Sequence, residues 1–301
     1  SLCSSLVNIS DDFDLQLDEL ALHLLTNDRP VLYVGNGIRI SDSYNEFLDF
    51  LQQWPIACVT GWNSNDLLWD SHPCYCGRPG TVGNRSGNFA VHYSTSLLVV
   101  GCRLNIRQVS YNWSDFSPYS WKCHVDIDRA ELDKPTLSTD LKINTQISGF
   151  FPRLSKALTR VSIRNHINTS RVLSHWSSWS SWLKSTLDNY PVLMDALPPR
   201  DHYVNPYRLL HKLSDYLPNN SVTVCSDGTA CVAGFQALVI KPSQRLFHNS
   251  GCASMGFELP AAIGAYYASN SPITCIAGDG SIMMNIQELA IIGGRQLPIK
   301  I

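Results

Sequence analysis

Towards the C-terminal end of this 301-residue sequence, a largely apolar run, Pro272-Ile273-Thr274-Cys275-Ile276-Ala277, gives way to Gly278-Asp279-Gly280-Ser281. Residues of these types at a strand-to-helix junction can hold a phosphate through a metal ion. The glycines carry no side chain to keep an anion away from the backbone. The first N–H groups of a helix have no intrahelical acceptor and lie at the positive end of its dipole. Asp279 offers hard carboxylate oxygens suited to Mg or Ca. Gly278, Asp279, Gly280 and Ser281 are therefore candidates to bind a metal-bridged diphosphate, with Asp279 as the metal ligand. Taken alone, the same residues would also serve as a glycine turn and a helix cap.

Such a loop needs a rigid edge, and the rest of the sequence has the pattern of one. Short apolar runs alternate with helix-period stretches, which specifies an α/β fold with two doubly wound, mostly parallel sheets. In the first unit, strands are expected at Val31–Val34, Ile56–Thr60, Leu97–Val100 and His124–Ile127. Helices are expected at Tyr44–Trp54, Asn144–Thr159 and Thr169–Asn189. The last carries Trp176, Trp179 and Trp182 three residues apart, an aromatic stripe for one side of a helix. Tyr190–Tyr203, with Pro191, Pro198 and Pro199, reads as a linker, so the domains are placed at 1–190 and 191–301. The second unit is expected to hold a helix Pro206–Leu217, a strand Val222–Ser226, helices from Thr229, Phe257 and Ser281, and a strand Ile273–Ala277. The chain starts at Ser1 and stops inside the run Leu297–Ile301, which leads us to expect a segment of a longer polypeptide.

Composition narrows the classes of partner. A net charge of -2, with 16% charged residues and no basic run, does not suit nucleic acid. There is neither a long apolar stretch for a membrane span nor the basic-then-apolar layout of a signal peptide. The ten cysteines are scattered and lack a CxxC metal spacing, so buried reduced thiols in a cytoplasmic setting are expected.

Two longer strings carry a resemblance. Gly278-Asp279-Gly280-Ser281-Ile282-Met283-Met284-Asn285-Ile286-Gln287-Glu288-Leu289, followed by Leu297–Ile301, closely resembles the thiamine diphosphate signature of the acetolactate synthase family. That signature closes with an Asn pair that would lie just beyond Ile301. The string from Ser254 to Ala265, SMGFELPAAIGA, is similar to the family's MGFGLPAAIGA, with Glu258 in place of a Gly. The resemblance gives Met255 the role of propping the cofactor into a bent shape. A looser match, Val224 to Ala230, implies diphosphate contacts at Gly228 and Thr229, although the family's usual Gly-Gln-His stands here as Gly228-Thr229-Ala230.

The first unit resembles the family's middle domain, which holds FAD in acetolactate synthases. The matching strings are Val31–Gly37, Gly77–Thr81, Leu97–Arg107 and Val125–Asp128. They imply FAD contacts at Gly77, Arg103, Arg107 and Asp126, though the family's Asp-Asp between the arginines is Asn105-Ile106 here.

The resemblance implies a thiamine diphosphate- and Mg-dependent enzyme that decarboxylates a 2-keto acid such as pyruvate and transfers a two-carbon unit to a second carbonyl. It would be a homodimer or homotetramer with active sites between subunits. The activating Glu would lie in an N-terminal domain absent from this sequence, so no catalytic base is assigned and the segment alone is expected to be inactive. A related decarboxylase or transferase acting on another 2-keto acid or an activated sugar stays open, as does a non-catalytic nucleotide-binding scaffold.

Overall fold

A computed structural model describes residues 11–193 and 202–301. In the first unit, short apolar runs form β1 (Pro30–Val34), β2 (Ala57–Thr60), β3 (Ser96–Val100), β4 (Trp121–Asp126) and β5 (Leu141–Asn144). All pairings are parallel, in the order β2-β1-β3-β4-β5. β1, β2 and β3 are buried at every position, which explains why they read as continuous rather than alternating runs. One apolar cluster, centred on Leu32, Leu98 and Phe151, covers one face of the sheet. A second, with Tyr33, Val99 and Leu183, covers the other.

The second unit repeats the plan with β6 (Val222–Cys225), β7 (Arg245–His248), β8 (Ile273–Ile276) and β9 (Ile299–Lys300), parallel and in the order β7-β6-β8-β9. Helices Gly228–Ala237 and Glu258–Ser269 follow β6 and precede β8, respectively. The α/β class with two parallel sheets is thus as the sequence pattern requires.

Several elements differ from expectation for local reasons. Asn144 closes edge strand β5, whose residues alternate buried and exposed, and the next helix starts only at Phe150, after Gly149 in the left-handed region at φ 77°. Strand β7, Arg245–His248, has no counterpart in the sequence reading. The helix expected from Ser281 is two short ones, Asp279–Met284 and Glu288–Gly294, because Asn285 leaves helical geometry and donates from Nδ2 to Gly256 O at 2.8 Å. The tryptophan stripe also turns. A three-residue step drifts about 60° around a helix, so Trp176 and Trp179 are buried while Trp182 is 44% exposed. Most of the expected linker lies outside the described residues.

Directional polar contacts join the units. Arg78, 2% exposed, donates from Nη1 to the carbonyls of Phe235 and Leu238 at the C-terminal end of helix Gly228–Ala237 (2.6 and 3.0 Å). Its Nη2 pairs with Asp70 Oδ2 at 2.8 Å, and that oxygen also accepts from Ile240 N. Buried Asp66 accepts from Arg245 Nε at 2.7 Å and Leu246 N at 3.1 Å. Asn65 Nδ2 lies 3.0 Å from His248 Nε2, and Trp62 stacks on Phe235 with centroids 5.1 Å apart. Among the described residues nine cysteines are free, eight of them buried, and no helix is long and apolar enough to cross a membrane.

Two outcomes follow for stability. Arg78→Ala leaves Asp70 and two helix carbonyls without their guanidinium partner, so urea unfolding should show a loss of about 3 kcal/mol. Burial, with Arg78 as the lesser cause, pushes the His248 imidazole down to about 3. The native state holds it neutral while the unfolded chain takes a proton below the ordinary 6.5. Its contribution is complete above that pH and declines as pH falls towards 3, by up to about 1.4 kcal/mol per pH unit. Burial pushes His72 and His124 down as well. Unfolding midpoints at descending pH should therefore still slope in His248→Gln, but less steeply than in the wild type.

Candidate cofactor-binding site

Strand β6 connects through helix Gly228–Ala237 to β7 on one side, while β8 pairs on its other side. The carboxyl ends of β6 and β8 therefore flank a topological switch point, where open α/β sheets bind ligands. The register pairs Cys225 with Ile276, so both strands deliver their following turns to one edge. Buried Ser226 ties the turns together: its N–H donates to Ile276 O at 2.9 Å, and its Oγ accepts from Gly278 N at 3.2 Å. Gly228, at φ 58°, and Thr229 open one helix, and Asp279 and Gly280 open another. A Cβ on Gly228 would meet nothing within 4 Å. On Gly280 it would meet only the Met255 methyl, at 3.3 Å. The backbone at both turns is thus open to an anion, and the first N–H groups of each helix have no intrahelical acceptor. With six residues in helix Asp279–Met284, those donors matter more than any macrodipole.

The Met255 loop is clamped to this edge. Gly256 N donates to Ser281 Oγ at 2.9 Å, Ser281 Oγ donates to Glu258 Oε2 at 2.8 Å, and Asn285 holds Gly256 O. Met255 is 46% exposed, with its methyl beside Gly280. The structure therefore brings together Gly228, Thr229, Met255, Gly278, Asp279, Gly280 and Ser281. The Asp279 carboxylate is exposed, and no ion pair or hydrogen bond of its side chain occurs among the described residues. Ser281 differs in one respect: its hydroxyl is buried and engaged twice, leaving its backbone N–H for a ligand. Among the described residues no three His, Cys, Asp or Glu side chains cluster as a metal site. A single exposed carboxylate, that of Asp279, beside open backbone turns fits Mg, which takes one or two carboxylates and completes its shell with phosphate oxygens and water.

In the first unit a cleft of about 620 Å³ lies beyond β1, β3 and β4 and includes Arg103, Arg107, Asp126, Trp62 and, from the second unit, Ser250. Arg103 pairs with Glu131 at 2.5 Å, Arg107 lies over the Trp62 ring at 5.9 Å, and Asp126 Oδ1 accepts from Asp128 N. Gly77 does not line the cleft. It is buried at φ 118°, where a Cβ would meet Asn84 Oδ1 at 2.5 Å, so it packs the loop against helix Arg85–Tyr93. Trp62, Asn63 and Ser250 reach the cleft, and Glu258, Ser226 and Asn285 the β6–β8 edge, through contacts between distant segments. Of these, Ser226, Glu258 and Asn285 fall within strings that resemble the family's, Glu258 as a departure, whereas nothing in the sequence singled out Trp62, Asn63 or Ser250.

Residues 17–154 match the model of the thiamine pyrophosphate enzyme central domain, and residues 227–301 that of the C-terminal TPP binding domain. The chain belongs to the thiamine pyrophosphate-dependent enzyme family. Within it, the chain is similar to the acetolactate synthase isozyme 2 large subunit of Escherichia coli K12, 29% identical over 287 residues, 95% of this chain and 48% of the relative. The acetolactate synthase large subunit of Lactococcus lactis is 29% identical over 289 residues, 96% of this chain and 47% of its own length. A probable acetolactate synthase large subunit of Methanocaldococcus jannaschii is 26% identical over 294 residues, 95% of this chain and 47% of its own. The chain spans about half the length of the curated relatives it matches.

Two glycines at the edge separate backbone strain from crowding. Gly228→Ala meets open space and bears only the left-handed conformation, about 1 kcal/mol. Gly256, at φ 85°, would place a Cβ 2.8 Å from Asn285 Nδ2 and 2.9 Å from Met284 Cβ. Gly256→Ala should therefore cost more, about 2–3 kcal/mol. Equilibrium unfolding of both variants checks the order.

Proposed function

We infer that the β6–β8 edge binds thiamine diphosphate with Mg, and that the whole protein is a lyase or transferase of 2-keto acids with acetolactate synthase-like chemistry. The observation that carries this reading is the Met255 methyl seated against Gly280, beside an open glycine turn and a free carboxylate. In this reading Asp279 holds the metal, and the N–H groups of Gly228, Thr229, Gly280 and Ser281, with Gly278 shaping the turn, take the diphosphate oxygens. Met255 is the wedge that bends the cofactor. Thiamine diphosphate, when bound, supplies a nucleophilic thiazolium carbon for removing CO2 from pyruvate and passing two carbons to a second carbonyl. The chain's own part is to hold, orient and shield. Thr229 and Ala230, where the family has Gln and His, leave room for another 2-keto acid or an activated-sugar acceptor.

The cleft of the first unit supports a nucleotide such as FAD. Arg107 and Arg103 would meet its phosphates, Asp126 would accept from a ribose hydroxyl, and Trp62 offers an aromatic wall. Met283, Met284, Ile286, Leu289 and Ile291 are exposed on one segment, which supports a homodimer or homotetramer that covers them. The nine free thiols among the described residues support a reducing, cytoplasmic setting.

Calorimetric titration of the intact protein with thiamine diphosphate, with and without Mg, tests the reading. Binding should require Mg, and Asp279→Ala should weaken it at least about 100-fold. Absence of binding, or binding indifferent to Mg and to Asp279, would point to a non-catalytic scaffold and overturn the assignment.

A further inference from the structure

Glu258 stands where the family string has a glycine, and the structure buries it completely. One carboxylate oxygen accepts from Ser281 Oγ at 2.8 Å, while Oε1 has no partner. A buried, half-satisfied carboxylate is costly, so stability alone does not account for it. Its effect on Ser281 does. A serine hydroxyl has a single proton and two acceptor sites. To accept from Gly256 N, Ser281 must aim that proton elsewhere, and Glu258 Oε2 is where it goes. Asn285 Nδ2 grips Gly256 O, so Gly256 is held through both N–H and C=O from the segment that begins with Asp279.

We propose that Glu258 is a positioning residue that orients the Ser281 hydroxyl, and through it locks the Met255–Gly256 turn onto the Asp279–Gly280 loop. The consequence for cofactor geometry rests on the thiamine diphosphate reading above; the lock itself does not. A glycine at 258 would leave the hydroxyl free to rotate and the turn held on one side only. Glu258 would thereby give this chain a stiffer thioether wedge than the family string provides.

Hydrogen–deuterium exchange on the intact, cofactor-free protein tests the lock. In Glu258→Gly the Gly256 amide should exchange about ten-fold faster, as expected for the loss of one buried hydrogen bond. Val224 and other β6 amides should keep their protection. Glu258→Gln, whose amide oxygen can still accept from Ser281, should remain within about three-fold of the wild type. Unchanged exchange at Gly256 in Glu258→Gly, or a Glu258→Gln variant as loose as Glu258→Gly, would overturn the proposal. Should Glu258→Gly not fold, the double variant Glu258→Leu/Ser281→Ala removes the buried carboxylate together with its partner. It should fold and exchange fast at Gly256; wild-type protection there would equally refute the lock. In a parallel titration, Glu258→Gly should bind thiamine diphosphate with Mg about ten-fold more weakly than the wild type, by the same hydrogen bond. If the wild type binds no thiamine diphosphate, the cofactor assignment fails while the exchange result still decides the role of Glu258.

Discussion

The pairing of β6 with β8 sets everything at the candidate site. These strands are parallel and end level with one another, at Cys225 and Ile276, so the chain leaving each must turn over the same edge. Ser226 makes the coincidence rigid by bonding to β8 at Ile276 and to the turn after it at Gly278. Because parallel neighbours need long crossovers, the helices that make those connections begin or end at this edge too. A ligand there is met by backbone from several segments rather than by side chains on one flexible loop.

The first sheet has a comparable switch point between β1 and β3 but puts it to different use. There the turns pack on each other: Gly35 N donates to Val100 O and Gly37 N to Gly101 O, and a Cβ on Gly37 would lie 2.7 Å from Gly101 Cα. The N–H groups of Gly35 and Gly37 are consumed, so the cleft beside them offers side chains such as Arg107 and Asp126 instead. At the β6–β8 edge the turns stand apart, and Gly228 and Gly280 leave their backbone open. The same topology therefore yields a cleft lined by side chains and an edge whose N–H groups stand open, as an anion would require. Arg78 caps, at Phe235 and Leu238, the C-terminal end of the helix that Gly228 and Thr229 begin.

What could be read from sequence was whatever is local. Gly278–Ser281 and Met255 lie in contiguous strings whose chemistry is set by neighbours in the chain, and the structure brings both to one edge. The buried strands β1 and β3, and the half-buried β8, announced themselves as apolar runs, whereas β7, with Leu246 and His248 inward and Phe247 outward, is too short to show a period. Contacts between segments were hidden. Glu258 and Ser281 are 23 residues apart, and Asn63 and Ser250 are 187 apart, yet each pair is in hydrogen-bond contact. The break at Asn285 had the same origin, because a side chain bonded to a distant carbonyl took that residue out of the helix. Gly77 sat in a plausible string, but its role is steric and only the packing of Asn84 and Gly87 against it reveals that.

The chemistry of the edge also limits what any one side chain there can do. An exposed carboxylate such as Asp279 is strongly hydrated and would bind a divalent ion weakly by itself. Affinity must come from a ligand that carries oxygens to the metal and simultaneously fills the N–H groups of both turns, so that metal, anion and backbone are bound together or hardly at all. Such coupling makes selection depend on spacing: a group too short to reach from the Gly228 turn to Gly280 loses one set of donors and the metal with it. In the proposed reading, Met255, whose methyl lies beside Gly280, would set how the remainder of the ligand leaves the edge, and the stiffness of one peptide unit at Gly256 would bear on the geometry of the whole site.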